Sequence, residues 1–495
     1  MGRAARGEGT YNVVVIGAGT AGLVTAAGTA GLGGRVALIE RHKMGGDCLN
    51  VGCVPSKALI RSSRVAALMR CADLVALDPH RPAINFAAVA RRVKALRAKI
   101  APHDSVERFE GLGVDVFLGD AVLESPHTVR VGADLLRSRN IVLATGGRAA
   151  VPDLPGLKEA GSFTNETIFE RESAPGRLLV MGGGPIGCEL AQALGRLGAE
   201  ATLVDRGAQL LHREDPEVAA LVKARMEREG IRVILRGRVE SVVPGRGGPH
   251  RVKVRQEADG GAPAREIDVE ADTILIASGR RPNVEGMGLE KVGVAFGPRG
   301  VEVDPYLRTS RPNIYAAGDV CGPYLFTHFA EYQARIVVRN ILVSPLLGLG
   351  RARADYRVVP WCTFTEPEVA RVGLNETEAA RAGVPFDAHR ISYSEIDRAV
   401  LESEETGLVK VIAAKGRGTI LGATIAGAEA GELIHEVALA MREGIGLSAL
   451  SSMMHIYPTL SQGAQRAGDA FMRTRLTPGT RALFSRLYAW QRRGP

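Results

Sequence analysis

The chain is short of cysteine, lysine and long apolar runs, and each shortage closes off a class of protein. Six cysteines, at 48, 53, 71, 188, 321 and 362 of 495 residues, are too few and too scattered for a disulfide framework. None belongs to a CxxC or a Cys/His cluster, so no metal site is expected. No stretch of about 18 apolar residues occurs, which excludes a membrane-spanning helix. Only ten of the 63 basic residues are lysine, so the formal charge of +9 is carried mostly by arginine, scattered among 54 acidic residues. Scatter of this kind argues against a nucleic-acid footprint, while it would favour an anionic cofactor. The opening MGRAARGEGT is basic without an apolar segment and reads as the disordered start of a cytoplasmic protein.

What is present begins with length: 495 residues give chain for about three domains, and 45% apolar content suits globular cores. The stretch from Gly45 to Lys57, GGDCLNVGCVPSK, holds Cys48 and Cys53 with four residues between them. Bridging so short a loop needs a turn of distorted helix that brings the two Cα atoms within roughly 7 Å. An apolar helix-forming run follows (Ala58, Leu59, Ile60, Val65, Leu68), and a thiol at a helix N-terminus is shifted toward thiolate. The spacing alone also fits two buried free cysteines; the flanking sequence favours a redox dithiol. Cys71, Cys188, Cys321 and Cys362 are expected to be buried small residues.

Two copies of one pattern frame the chain. Tyr11 to Gly17 is a β-branched run followed by GAGTAG, a small-residue helix to about Gly31, and a second strand from Arg35 to Glu40. Gly17, Gly19 and Gly22 occupy a G-x-G-x-x-G pattern, which permits a tight turn and close backbone approach to a pyrophosphate, with Glu40 placed for ribose hydroxyls. From Leu178 the pattern returns with Gly182, Gly184, Gly187 and Asp205, and the interval from first glycine to acid is 23 positions in both copies. Two dinucleotide sites are expected. IVLATGG and ILIASGR each read as a strand ending in a small-residue turn, and so does NIYAAGD, which ends in Gly318 and Asp319. Phe86 to Phe109 is a basic amphipathic stretch, with short strands near Val114–Leu118 and Val129–Val131. PDLPG and the stretch SPLLGLGRARADY mark boundaries. Beyond the second lies an α+β segment without a nucleotide signature.

The motifs GAGTAG, GGDCLNVGCVPSK, ATGG, GGGPIGCEL, GRRPN, AAGD and a C-terminal YPT block, in that order over about residues 11–475, resemble the pyridine nucleotide-disulfide oxidoreductases of the glutathione reductase, lipoamide dehydrogenase and mercuric reductase group. The resemblance implies an α/β protein with two Rossmann-like domains: FAD-binding over 1–155 and 281–350, NAD(P)-binding over 156–280. It further implies an α+β dimerisation domain over 351–475, a tail from 476, and a homodimer. It places FAD on the first glycine unit and NADH or NADPH on the second. Asp205 favours NADH, because an acid repels a 2′-phosphate, while Arg206 leaves NADPH open. By the same resemblance Asp319 would bind the ribityl chain and Lys57 would lie near flavin N5, with Glu189 beside Lys57 and the nicotinamide. Further cofactor contacts are implied at Thr20, Gly46, Ala121, Thr145 and Gly146. Others fall at Ile186, Val239, Gly279, Gly318 and Thr327. Cys53 would be the thiolate against the flavin, and Cys48 would meet the acceptor.

One departure bears on the acceptor. Disulfide-reducing members carry a His-Pro with a Glu four residues after the proline, whereas this chain has HIYPTLSQ, with Tyr457 and Gln462 in those places. A phenol with a pKa of about 10 is a poor base at neutral pH. His455 is a candidate stand-in, alternatively a structural histidine. Mercuric reductases also lack the dyad but typically add a vicinal cysteine pair, and nothing beyond Cys362 is cysteine here. The expected activity is a mercuric-reductase-like NAD(P)H oxidoreductase acting on a metal ion such as Hg(II), another disulfide or an electrophile. Alternatives are a dihydrolipoamide dehydrogenase with a displaced base and a non-catalytic redox-sensing flavoprotein. In the tail, Leu483, Phe484, Leu487 and Tyr488 share a helical face ringed by Arg481, Arg486, Arg492 and Arg493. That face suits packing on the dimer, with contact to an anionic membrane surface as the lesser possibility.

Overall fold

The computed structural model describes residues 9–245, 247–258, 263–342 and 350–493; the expected disordered start lies, through residue 8, outside them. The described chain divides into two compact units. The first holds the residues up to Ala66 together with Ala83–Val204 and Gly237–Asp355, and the second holds Ala67–Pro82, Asp205–Arg236 and the chain from Tyr356.

In the first unit, β1 (Thr10–Ile16) leads through α1 (Thr20–Gly31) to β2 (Val36–Glu40). The cysteine segment follows as a five-residue helix, α2 (Gly46–Asn50), and a longer one, α3 (Cys53–Arg70). The basic stretch is α4 (Phe86–Ile100), a 3-10 turn over Ala101–Asp104, and α5 (Val106–Gly111). Four strands come next: β3 (Asp115–Leu118), β4 (Ala121–Ser125), β5 (Thr128–Val131) and β6 (Asp134–Leu143). They form one sheet in the order β3-β2-β1-β6-β5-β4, with the strand Ile314–Ala316 parallel to β6. β1 lies parallel to both β2 and β6, with Val15 opposite Leu38 and Val142. Val13, Val14 and Val15 are fully buried, as expected of a central parallel strand covered on both faces.

Small residues let α1 lie close to the helix Thr327–Leu342: a Cβ at Gly28 would come 3.3 Å from Val338 Cγ2. A second parallel group repeats the plan, with the strand Arg177–Met181 between Glu200–Val204 and Thr273–Ile276, and the helix Pro185–Arg196 following the first of these.

In the second unit five antiparallel strands run in the order Pro360–Thr363, Glu368–Gly373, Ile420–Gly427, Leu408–Ala414, Phe386–Ser392. The helices Ala430–Arg442 and Gln462–Thr474 contribute Ile434, Val437 and Phe471 to a core with Val411 and Ile425. Its charged interior is closed by pairing: the fully buried Lys410 ammonium contacts Asp215 and Glu217 and stands 3.7 Å from Glu376. The tail forms the helix Pro478–Gln491, none of whose residues is buried. One expectation about the cysteines is overturned. Cys188 is buried, but Cys321 and Cys362 are only half-buried and Cys71 is exposed, because Cys71 sits at the turn that ends α3.

Candidate active site

The two glycine turns have the same geometry. Gly17 and Gly182 have positive φ (102° and 116°), and a Cβ on either would lie 2.4 Å from a carbonyl oxygen, of Ala144 or Ala277. A Cβ on Gly22 or Gly187 would lie 1.8 Å from the carbonyl oxygen of Gly17 or Gly182. No side chain larger than hydrogen fits at these four places. Gly19 and Gly184 are the N-caps, and neither helix has a side-chain cap on its first-turn amides. Thr20 opens α1, and Ile186 lies in the first turn of the second helix, beside open space in front of Gly184, where a Cβ would meet nothing within 4 Å.

Hydrogen bonds fasten the cysteine segment to the first turn. Glu40 is buried at the end of β2 and accepts from the Ala18 amide (2.7 Å) and the His42 amide (2.8 Å). Ala18 in turn accepts from the Gly45 amide at 2.9 Å, and a Cβ at Gly46 would come 2.6 Å from Gly19 Cα. Backbone contact between these glycines is what brings Cys48, the third residue of α2, beside the glycine turn.

Cys53 is the first residue of α3, where the helix dipole favours a thiolate. Its Sγ lies 3.3 Å from Thr327 Oγ1, and the Cys48 and Cys53 side chains share a hydrogen bond, both being free thiols. That bond, helped by Thr327 and the Lys57 cation, draws the Cys53 thiol down to about 6 against the opposing effect of burial. Cys48 moves the other way: the bond with Cys53, then burial, push its thiol well above the ordinary range. The pair therefore holds one proton on Cys48 and a negative charge on Cys53 at neutral pH. Lys57, one turn into α3, pairs at 2.7 Å with Glu189, a buried residue of the second glycine helix.

The remaining expected residues of this unit gather less tightly. Asp319 lies 3.4 Å from Arg280, which also pairs with Asp47. Burial pushes the Asp319 carboxyl up, against the pull of Arg280. The Gly318 amide donates to Gln333 at 2.7 Å, and Thr145 Oγ1 donates to the Asn283 carbonyl at 2.7 Å, next to Gly146. Gly279 has φ of +141° and accepts from the Ala150 amide. Ala121 and Val239 are buried strand residues. Gln333 was missed in the sequence, where an isolated polar residue gives no signal; Arg280 and Asp47 lie inside GRRPN and GGDCLNVGCVPSK but carried no expected role there. In the second unit Asp205 accepts from the Gly207 amide (2.6 Å) and lies 3.2 Å from His212 Nε2.

The pyridine nucleotide-disulphide oxidoreductase family matches residues 11–334, and its dimerisation domain matches residues 359–467. The chain belongs to this family. It is an enzyme of that class, and the dimerisation domain supports a homodimer. It is similar to a mercuric reductase of Staphylococcus aureus, 32% identical over 94% of this chain and 83% of the relative. A dihydrolipoyl dehydrogenase of the same organism is also 32% identical, over 92% of this chain and 96% of the relative. Among solved structures, the Cu(II) complex of the HOCl-induced flavoprotein disulfide reductase RclA from Escherichia coli superimposes with a TM-score of 0.81. It is 27% identical, over 93% of this chain and 99% of that one. Family membership implies use of FAD and NAD(P)H. The residues fit both: uncapped helix amides behind glycines that admit no side chain suit pyrophosphates, and Glu40 and Asp319 suit hydroxyls.

The C-terminal block accounts for the missing dyad. His455 has its side chain only 2% exposed, with Nδ1 3.1 Å from the Met453 carbonyl and Nε2 2.8 Å from Glu436 Oε1. Both ring nitrogens are thus engaged within the domain, by a backbone carbonyl and a carboxylate. Tyr457 is largely exposed and donates to Asp397 Oδ2 at 3.0 Å, while Arg466 holds the other oxygen at 3.1 Å. The hydrogen bond to Asp397 raises the phenol further above its ordinary value. Gln462 Oε1 is buried without a hydrogen-bond partner among the described residues.

Proposed function

We propose that the chain is an NADH-preferring reductase that carries electrons through the Cys48/Cys53 pair to a thiol-reactive acceptor, in the manner of a mercuric reductase rather than a dihydrolipoyl dehydrogenase. The carrying observation is Cys53: a low-pKa thiol at a helix start, bonded to Cys48 and Thr327 and near the Lys57–Glu189 pair. Bound FAD supplies hydride acceptance from the nicotinamide and a two-electron reduction of the cysteine pair. The chain's own residues then divide the work. Cys53 keeps a thiolate, Cys48 keeps the proton and meets the acceptor, Lys57 balances the thiolate charge, and Glu189 fixes Lys57. The domain division drawn from the resemblance, FAD over 1–155 and 281–350 and nucleotide over 156–280, belongs to this reading. So do the other cofactor contacts and a cytoplasmic, reducing setting, which the exposed thiol of Cys71 suits. Asp205 supports NADH. The exposed face of Leu483, Phe484 and Leu487 supports packing of the tail within the homodimer.

Two observations oppose lipoamide as the acceptor: His455 has no free ring nitrogen, and Tyr457 is held as a donor. A dithiol loaded without a base serves acceptors that need electrons more than a proton relay, such as Hg(II) or Cu(II). The test is an anaerobic titration of the FAD-loaded homodimer with NADH. A long-wavelength thiolate-to-flavin band that is absent from Cys53→Ser supports the reading, and an inert flavin overturns it. Turnover is then compared for Hg(II), Cu(II), lipoamide and glutathione disulfide; rapid lipoamide turnover would favour the dehydrogenase.

A further inference from the structure

Two exposed apolar surfaces of the second unit have borders of opposite charge. The first follows the end of α3: Leu68, then Leu74 and Val75 of the 3-10 turn Ala72–Val75, and Leu77 just beyond it, are all exposed. Ser403 Oγ donates to the Leu74 carbonyl at 3.1 Å, and the Ser403 amide donates to the Val400 carbonyl at 3.1 Å. These bonds bring the end of the helix Asp397–Leu401, with exposed Val400 and Leu401, beside the turn. Acids border this surface: Asp73 and Asp78 in residues 71–78, and Glu402, Glu404 and Glu405 in residues 399–407, with no lysine or arginine in either stretch. Arg398 pairs with Glu402 from just outside it. The second surface is the tail helix Pro478–Gln491, whose Leu483, Phe484, Leu487 and Trp490 are exposed. From residue 470 onward the sequence has six arginines and no acid. Thr477 caps this helix, accepting from the Thr480 amide at 3.2 Å. A 14-residue helix with no buried residue is marginal in water, so it needs a surface to lie on.

We propose that the tail helix of each subunit docks on the acid-bordered surface around Leu74 and Leu401 of a second copy, so that the homodimer exchanges its tails. The inference rests on the reading that the tail packs within the homodimer, and names the surface that receives it. Neither surface is covered in its own chain, so one contact with a second copy covers both, and twofold symmetry makes that contact twice. Charge selects the surface. Arginines around one apolar face meet acids around the other, whereas tail against tail would set arginine against arginine. The other exposed apolar group of the unit, Met453, Met454 and Ile456, lies in residues 444–468, which contain Arg466 and no acid. An anionic lipid surface would suit the tail but leave the acid-bordered surface open. Cys71, the N-cap of the 3-10 turn, is exposed in the single chain, so docking shields its thiol and makes it a reporter of the contact.

The test uses the full-length FAD-loaded protein, with its dimeric state checked by sedimentation. Alkylation of Cys71 by N-ethylmaleimide, read by peptide mass spectrometry, should be slow. It should speed up at least about tenfold in Leu487→Glu and in Leu74→Glu, where labelling no longer waits for the tail to lift. Both positions are exposed in the single chain, so the variants should keep their flavin absorbance and melting temperature. Higher salt should also speed labelling of the unsubstituted protein. In Leu487→Cys, a short bismaleimide should join Cys71 of one subunit to the introduced thiol of the other, giving a covalent dimer on a denaturing gel. A dimer in which Cys71 labels equally fast with and without Leu487→Glu overturns the inference, and so does a cross-link confined to one chain. Binding of the tail to phosphatidylserine vesicles while Cys71 stays open would assign it to lipid and overturn the inference as well. A monomer in sedimentation overturns the homodimeric packing of the tail, and this inference with it.

Discussion

Lys57 Nζ stands 2.7 Å from Glu189 Oε2, so the helix that begins at the reactive cysteine is joined by an ion pair to the helix of the second glycine turn. The two charges act on Cys53 with opposite sign: the Lys57 cation lowers its thiol pKa and the Glu189 carboxylate raises it. Because the thiol lies at about 6, the thiolate-to-flavin band of the reduced enzyme should be full at pH 8 and fade as pH falls through about 6. Lys57→Met should move that midpoint upward and Glu189→Gln downward. Absorbance titration of the two variants checks this, and a shift of the same sign in both would contradict the assignment.

Cys48 has the larger influence. Its hydrogen bond is the first cause of the low Cys53 value, ahead of Thr327 and Lys57. Cys48→Ala should therefore raise the midpoint more than Thr327→Val does, while also removing acceptor turnover. Cys48→Ser, which keeps an O–H donor, should retain part of the lowering. The same titration ranks the three variants.

Much of this was legible in the sequence because it repeats. The two glycine units declare themselves by equal internal spacing, and the structure reproduces each glycine contact in duplicate, from the positive φ at Gly17 and Gly182 to the 1.8 Å approaches at Gly22 and Gly187. The expected strands and the helix from Thr327 to Leu342 also follow from local pattern. Gln333 was not legible, because a side chain that acts by meeting a distant turn leaves no periodic trace. Cys71 was misjudged for a related reason. Residue type favours burial for cysteine, but position at the end of α3 decides otherwise.

His455 tests whether a buried histidine here serves structure or chemistry. With Nδ1 on the Met453 carbonyl and Nε2 on Glu436, His455→Ala strands two acceptors and should cost about 1–3 kcal/mol in stability. Acceptor turnover per folded enzyme should stay within a factor of about two, since both ring nitrogens are held by Met453 and Glu436. Denaturant melts paired with kcat measurements separate the two effects. A loss of kcat without a loss of stability would return His455 to the chemistry.

The charge cluster around Lys410 sets the acid limit of the second unit. Burial pushes the Asp215 carboxyl up, but hydrogen bonds from Lys410 and Thr377 outweigh it and hold the group below the ordinary carboxylate range. A carboxyl lowered in the folded state binds its proton more readily when unfolded, so its contribution is complete above the unfolded value of about 3.9 and is lost as pH falls through the lower folded one. Lys410→Met removes the cation and leaves Asp215, Glu217 and Glu376 facing one another within a partly buried site. Breaking a buried pair from one side costs about 3–5 kcal/mol, so this variant should lose several degrees or more of melting temperature at pH 7. The deficit should shrink as pH is lowered toward 4, because protonation relieves the crowded carboxylates of the variant while the unsubstituted protein keeps its pairing down to about 3.9. Melting curves of both proteins between pH 4 and pH 8 check the sign: a deficit that widens toward acid would mean that the three carboxylates are not held together by Lys410.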